Sequence, residues 1–507
     1  MMRATDNHPN DTANLKAVIA SQRSEITHLK LLVAKLQRLH FGRRAERFDG
    51  NADQLNLLAA TPPSVTTLPP AVADSRTPDT APRVPVRKPL PSHLAREIQI
   101  HTPEGTCCPD CGGELRRIGE DVAEMLEYVP ARFKVIRHVR PKLACRGCDT
   151  IVQADAPLRP IARGTAGPGL LSHVLVSKYC DHLPLYRQSG IYAREDVELS
   201  RSTLAGWVGE CATLLQPLVK AIRQHVLAGA TLHADDTPVP VLDPGRGRTK
   251  IARLWTYVRD ERPAHGEAAP AVWFAYSPDR KGMHPQGHLR SFCGTLHADG
   301  YAGFGKLFAS QQISESACWA HARRKLYEVH QAQGSPLAAT ALTYISELYV
   351  IEAEIRGRAP DVRLAVRRAR AGPVLARLQA WLDHILLQVP RKSGLAVAVR
   401  YALGRWKALT RYCDDGRVEI DNNAAERALR PVALGRKNYL FAGSDAGGDR
   451  AAALYSLIGT AQLNGLDPEA YLRHVIGCIG EHPINRIDEL LPWNVADRLA
   501  DPSRQAA

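Results

Sequence analysis

The pentapeptide Thr-Leu-His-Ala-Asp occurs twice, at 231–235 and at 295–299. Each copy reads as a short strand ending in an acid. Side chains alternate faces along a strand, so His233 and Asp235 share a face, as do His297 and Asp299. If the two strands are neighbours, both carboxylates emerge at one sheet edge. A third acid follows downstream in Asp421-Asn422-Asn423-Ala424-Ala425-Glu426-Arg427. There Asn422, Glu426 and Arg430 have the spacing of one helix face. Packing that helix on the sheet brings Glu426 to the two aspartates. Three carboxylates so close repel one another unless cations hold them. Oxygen ligands suit Mg²⁺, with Mn²⁺ as an alternative. Two such ions about 4 Å apart can activate water or a 3′-hydroxyl and stabilise the leaving oxygen of a phosphoryl transfer. Asp235 and Asp236 compete for the first position. Register with the second pentapeptide favours Asp235, while Asp236 points to the opposite face or caps a turn at Pro238. His233 and His297 read as packing beside the site, since hard Mg²⁺ prefers oxygen.

A second constellation is made of sulfur. Cys108-Pro109-Asp110-Cys111 and Cys145-Arg146-Gly147-Cys148 form two Cys-x-x-Cys knuckles around a strand-like stretch, 128–139. Two knuckles supply the four thiolates of a closed tetrahedral Zn²⁺ site, and four thiolates leave no open position, so the zinc is structural. Cys107 is the spare. The 11 cysteines are an odd number, which fits metal binding in a reducing compartment better than disulfides.

The elements that must position these residues are spread over 507 residues, too many for one core. The formal charge of +14 favours a polyanionic partner, nucleic acid before membrane. No apolar run approaches the roughly 20 residues of a membrane span. The first residues, Met1-Met2-Arg3-Ala4-Thr5-Asp6, carry no apolar signal core. A cytoplasmic, nucleoid-associated protein is therefore expected. Over 13–48, Leu15, Gln22, Leu29 and Leu36 repeat every seven residues, interleaved with Ile19, Ile26, Val33 and His40. This is a zipper-like helix that predicts a dimer or higher homo-oligomer, or an amphipathic helix packed on its own chain. A Pro-rich linker follows at 49–97, then the zinc-binding domain at 98–160. Residues 161–225 are predicted helical with a helix-turn-helix look, Ser200 offering an N-cap.

From 226 to 463 the pattern is α/β. Strand candidates lie at 231–235, 253–259, 271–276 and 294–299, and helix is expected from about 300. A helical insertion is predicted at about 335–415. Between Arg363 and Lys407 it holds ten Lys/Arg against one acid, Asp383, a candidate DNA-binding face. Helical pattern resumes at 422–435 and 449–463, and a helical tail occupies 464–507.

The motifs His-Ala-Asp-Asp-Thr-Pro-Val-Pro-Val-Leu at 233–242, Leu-His-Ala-Asp-Gly-Tyr-Ala-Gly-Phe at 296–304, Cys-Trp-Ala-His-Ala-Arg-Arg-Lys at 318–325 and Asp-Asn-Asn-Ala-Ala-Glu-Arg-Ala-Leu-Arg-Pro at 421–431 resemble transposases of the insertion-sequence-66 family, TnpC type. The resemblance extends to the zipper-like helix, the Cys-x-x-Cys pairs and the Leu-Pro-Trp-Asn tail. It implies a multidomain protein with an α/β ribonuclease-H-like core and a DDE triad at Asp235, Asp299 and Glu426. It implies Mg²⁺-dependent strand cleavage and strand transfer on terminal inverted repeats and target DNA. It also implies two small accessory proteins from the same element. Asp236 departs from the family pattern, where Glu is common. In this setting His321, Arg323, Arg324 and Lys325, with Arg427, Arg430, Arg436 and Lys437, become candidate phosphate grips. The competing reading is a catalytically inert DNA-binding regulator derived from a transposase. The intact acids argue against it.

Overall fold

The computed structural model describes residues 159–500 except 163, 165 and 246, together with residues 22, 26, 133, 142–144 and 151–153. Apart from residues 22 and 26, the zipper-like helix lies outside the described residues, as do the Pro-rich linker, Cys108, Cys111, Cys145 and Cys148. The chain divides into two compact units, 64–157 and the remainder. In the smaller unit, β1 (Lys142–Ala144) pairs antiparallel with β2 (Ile151–Gln153). The segment joining them carries Cys145 and Cys148.

The larger unit opens with four helices: α1 (Pro168–Tyr179), α2 (Leu185–Ala193), α3 (Arg201–Leu214) and α4 (Gln216–Leu227). Ser200 caps α3, its hydroxyl accepting the Thr203 amide N–H at 3.1 Å. Then come β3 (Thr231–Leu242), β4 (Thr249–Arg259) and β5 (Ala271–Ser277), joined as an antiparallel meander. After the short α5 (Met283–His288), β6 (Gly294–Ala298) pairs parallel to β3. After α6 (Gly305–Ala309), β7 (Ile313–Ala317) pairs parallel to β6. The strand order is β5-β4-β3-β6-β7. β7 departs from the expectation of helix from about residue 300. Its sequence, Ile-Ser-Glu-Ser-Ala, is short and half polar, as an edge strand can be.

The first acid is also not at a strand end. β3 continues to Leu242, through Pro238 and Pro240. Its neighbour β6 stops at Ala298, so the far edge of β3 is open beyond Asp235 and prolines cost no ladder bond there. Pro240 offers its carbonyl to the Ala442 amide (2.8 Å), and Ala442 returns its own to Leu242 (2.9 Å).

Helices α7 (Trp319–Gln333), α8 (Pro336–Ile355), α9 (Pro360–Val366), α10 (Gly372–Gln388), α11 (Gly394–Leu403) and α12 (Trp406–Thr410) follow β7, with a π-turn at Arg367–Ala371. They share a separate apolar core that includes Trp319, Leu348, Leu378 and Val399. The chain returns through α13 (Asn423–Gly435) and α14 (Asp445–Leu463). It ends in α15 (Pro468–Cys478) and α16 (Pro492–Ala500). Helix α14 covers the β5 edge. The Ser456 hydroxyl accepts the Phe274 amide (2.8 Å), and Thr460 Oγ1 accepts the Val272 amide (3.2 Å) while donating to its carbonyl. Edge groups that would otherwise recruit another strand are thereby satisfied. No helix among the described residues is long and apolar enough to cross a membrane.

Two arginines are buried inside the helical insertion, Arg363 and Arg367, at 1% and 0% side-chain exposure. Arg367 makes a fork to Glu352 (2.7 Å to each oxygen) and donates to the Tyr412 carbonyl. Arg363 pairs with Glu419 and lies 3.5 Å from Glu352. Removing one acid strands buried cations. Glu352→Gln is expected to destabilise the protein by about 3–5 kcal/mol, read as a lower urea midpoint. An unchanged midpoint would mean that the network contributes no net stability.

Candidate active site

The two pentapeptides lie side by side, residue for residue. Thr231 pairs with Thr295, Leu232 with Leu296 and His233 with His297. The same offset sets Asp235 opposite Asp299, one residue beyond the end of β6. His233 and His297 are buried and their rings stack at 4.3 Å, tilted by 12°. Burial lowers both imidazoles below the usual histidine range, His297 strongly so, with the His233 ring adding to the effect on His297. His297 Nε2 accepts the Glu419 amide at 3.3 Å. The pair is a neutral packing element under the acids.

Two helix starts converge on this edge. Cys318 leads from β7 into α7, with His321 in its first turn, and Asn422 precedes α13, with Glu426 in its first turn. The Trp319 amide donates to the Ile420 carbonyl (3.2 Å), which ties one start to the other. Asn422 is wholly buried. Its Nδ2 donates to the Ala234 carbonyl (2.9 Å) and its Oδ1 lies 3.1 Å from His233 Nδ1. A side-chain amide from the third motif thus grips the backbone beside Asp235. The sequence reading set Asn422 on the Glu426 face without assigning it this role. The Asn-Asn pair at the helix start was the available signal.

Asp235 senses the other two acids. Burial raises the Asp235 carboxyl to about 7; the bond from the Asp236 amide works against this, and Asp299, Asp236 and Glu426 add further upward pushes. Glu426 Oε1 is buried with no hydrogen-bond partner, and the His321 Nδ1 3.7 Å away is equally unpartnered. A buried, unpartnered carboxylate oxygen whose charge is felt at Asp235 is a donor that fits a hard divalent cation.

Asp236 differs from Asp235 in kind. Its side chain is 2% exposed and sits between Arg253 (2.9 Å) and Arg280 (2.8 Å). Its charge is already matched. Arg280 also reaches Asp299 at 3.9 Å and stacks 4.2 Å from the Tyr301 ring centre. Nothing in the sequence around Arg280 had marked it as a neighbour of both acids. Gly300, at φ +84°, turns the chain after Asp299 where a side chain would strike the Arg405 guanidinium. Arg405 itself donates to the Gly300 carbonyl at 3.0 Å.

The candidate phosphate grips fall into two groups. Arg324, Arg427, Arg430 and Lys437 are exposed. Lys325 is partly buried, with its ammonium 4.6 Å from the Tyr401 ring centre. Arg324 lies 3.5 Å from Glu426. Arg323, however, is buried (5% exposed) over the Tyr327 ring, and Arg436 donates to the Pro238 carbonyl (2.6 Å). Arg323 is thus packed inside the fold, whereas Arg436 is partly buried with one nitrogen on a backbone carbonyl. In the basic insertion, five of the ten cations counted between Arg363 and Lys407 have acidic partners. Arg363, Arg367, Arg370, Arg377 and Arg405 pair with Glu419, Glu352, Glu354, Glu347 and Glu315, acids outside the stretch from Arg363 to Lys407.

The raised Asp235 carboxyl sets a pH dependence. Between its usual 3.8 and about 7 the folded chain keeps a proton that the unfolded chain has lost, so stability falls as pH rises through that window. Without added divalent ions, Asp235→Asn should match wild type near the lower end and exceed it above the upper end. The gain in Tm is roughly 2–4 °C for each kcal/mol relieved. Thermal melts across pH check this; parallel curves for the two proteins would contradict it.

Comparison with known proteins bears on the whole chain. The family model described as "Transposase IS66 family" matches residues 163–450. The "zinc-finger binding domain of transposase IS66" matches 106–149, and the "IS66 C-terminal element" matches 456–493. "Transposase C of IS166 homeodomain" matches 28–98, which takes in the stretch read as linker. Among relatives, uncharacterized protein y4hP of Sinorhizobium fredii is 40% identical over 490 residues, covering 92% of this chain and 88% of its own. Uncharacterized protein y4jD of the same organism is 38% identical over 505 residues, covering 96% of each chain. The matched families imply DNA as partner, a divalent metal for the DDE domain and zinc for the finger. With more than half its length inside the catalytic-region match, and finger and C-terminal matches on either side, the chain belongs to the IS66 transposase family.

Proposed function

We propose that the protein is an active DDE transposase with a ribonuclease-H-like core, cleaving and joining DNA strands at the ends of its element through Asp235, Asp299 and Glu426. The observation that carries this reading is the in-register parallel pairing of the repeated pentapeptides, beside a helix start whose Glu426 Oε1 has no partner. The order of the sheet, an antiparallel meander extended by two parallel strands, supports the fold assignment. Asp235 takes the first position because Asp236 is already paired with Arg253 and Arg280.

The three acids would hold Mg²⁺, which when bound supplies activation of water or a 3′-hydroxyl and stabilisation of the leaving oxygen. Asn422 and the stacked histidines orient the strand that carries Asp235. Arg280 steadies Asp236 and approaches Asp299. Arg324, Lys325, Arg427, Arg430 and Lys437 line up the DNA backbone, and His321 sits next to Glu426 at the reacting edge. In the front end, Cys108, Cys111, Cys145 and Cys148 hold structural Zn²⁺, and the heptad helix joins copies of the chain. The active complex works on terminal repeats and target DNA in the cytoplasm, with the two accessory proteins of the element.

Full-length protein, linear duplex bearing the terminal repeats that flank its gene, and Mg²⁺ form the test. Wild type should nick or join the ends, and Asp299→Asn should lose about 100-fold or more. Equal activity in both, or none in wild type even with the accessory proteins added, would sink the proposal. Arg324→Ala should weaken DNA binding across sequences and reduce the slope of log K against log salt by about 1. An unchanged slope removes Arg324 from the DNA contact.

A further inference from the structure

A set of ligand atoms that shares Glu426 with the triad adds two side chains, Cys318 and His321, that the cleavage reading gives no ligand role. Cys318 is 2% exposed. Its sulfur accepts the Asn422 amide N–H at 3.2 Å, and the His321 amide also bonds to it. Burial pushes this thiol well above its usual range, the two amide bonds opposing that only in part, so it is held as a thiol until a metal takes the proton's place. Glu426 Oε1 and His321 Nδ1 are buried without partners, 3.7 Å apart. One ligand atom from each of Cys318, His321 and Glu426 lies within 4.8 Å of the other two.

Sulfur and imidazole are the wrong donors for Mg²⁺ and the right ones for zinc-class ions. Three protein ligands with a position left over is the pattern of an open zinc site, unlike the closed four-thiolate finger. The residues come from the starts of two helices already tied by the Trp319 and Asn422 amides, so little movement separates the present geometry from coordination.

We propose that Cys318, His321 and Glu426 bind a thiophilic divalent cation of the Zn²⁺ class, with water or a phosphate oxygen in the remaining position. Binding releases the thiol proton to solvent. Glu426 is shared with the triad, so an ion held here withdraws the third acid from Mg²⁺. The claim of binding does not rest on the cleavage reading, since it needs no DNA.

The test uses full-length protein in which bound metal has been exchanged for Co²⁺, in the absence of DNA. Wild type should carry one more cobalt per chain than Cys318→Ser and than His321→Gln. Its spectrum should carry more thiolate-to-cobalt absorption per chain than that of Cys318→Ser, which keeps only the contribution of the four finger thiolates. His321→Gln, on a partly exposed side chain, keeps the test valid if Cys318→Ser does not fold. Cys293→Ser, at an exposed thiol, should behave as wild type. Equal cobalt content and equal spectra in wild type, Cys318→Ser and His321→Gln overturn the proposal. So does loss of the extra cobalt in Cys293→Ser. Absorption no greater than that of Cys318→Ser, alongside intact Mg²⁺-dependent cleavage, rejects this site and leaves the transposase reading standing.

Discussion

The parallel pairing of β3 with β6 is the constraint on which the site depends. Parallel neighbours cannot be joined by a tight turn, so the chain must leave the sheet and return. Here the intervening chain includes β4, β5 and α5, which completes the meander on one side before β6 docks on the other. Because His233 faces His297 in register, Asp235 and Asp299 are matched by a shared count from a shared origin. A slip of one residue would turn one carboxylate to the other face. The stacked, buried imidazoles resist such a slip, since each would have to give up its partner.

The third acid is brought in by a chain of contacts that begins far away. The insertion is anchored by Glu352 and Glu419 on two buried arginines. Glu419 donates its amide to His297, on the strand of the second pentapeptide. Three residues later Asn422 is bonded to Ala234 and His233, on the strand of the first. Glu426 follows one turn on. A large helical excursion between Trp319 and Ile420 therefore returns the chain to within one hydrogen bond of where it left. On the far side, Arg405 grips the Gly300 turn, so the insertion steadies the second acid as well as the third.

Legibility in the sequence followed the range of the interaction. The repeated pentapeptide and the Asn422–Glu426 spacing were readable, because alternation and helical period act over a few residues. The continuation of β3 through Pro238 and Pro240 was not, since only the early end of β6 makes those prolines tolerable. β7 escaped because an edge strand this short and polar carries little period. The basic insertion is less one-sided than its sequence window for a different reason. Its cations were counted in a window whose balancing acids, Glu347, Glu352, Glu354, Glu315 and Glu419, lie just outside it.

The contrast between adjacent aspartates carries the argument furthest. Asp235 and Asp236 share a dipeptide and a strand, yet the pleat sends them to environments of opposite sign. On one face two guanidiniums meet Asp236, and a buried carboxylate with two such partners is a satisfied structural ion. On the other face Asp235 meets two more acids and burial, and its proton affinity rises. A fold selected only for stability gains nothing from the second arrangement, since one more cation there would remove the repulsion. The fold instead matches that face only in part, with Arg280 3.9 Å from Asp299, Arg324 3.5 Å from Glu426 and Glu426 Oε1 without a hydrogen-bond partner. The missing positive charge is what a bound divalent cation would supply.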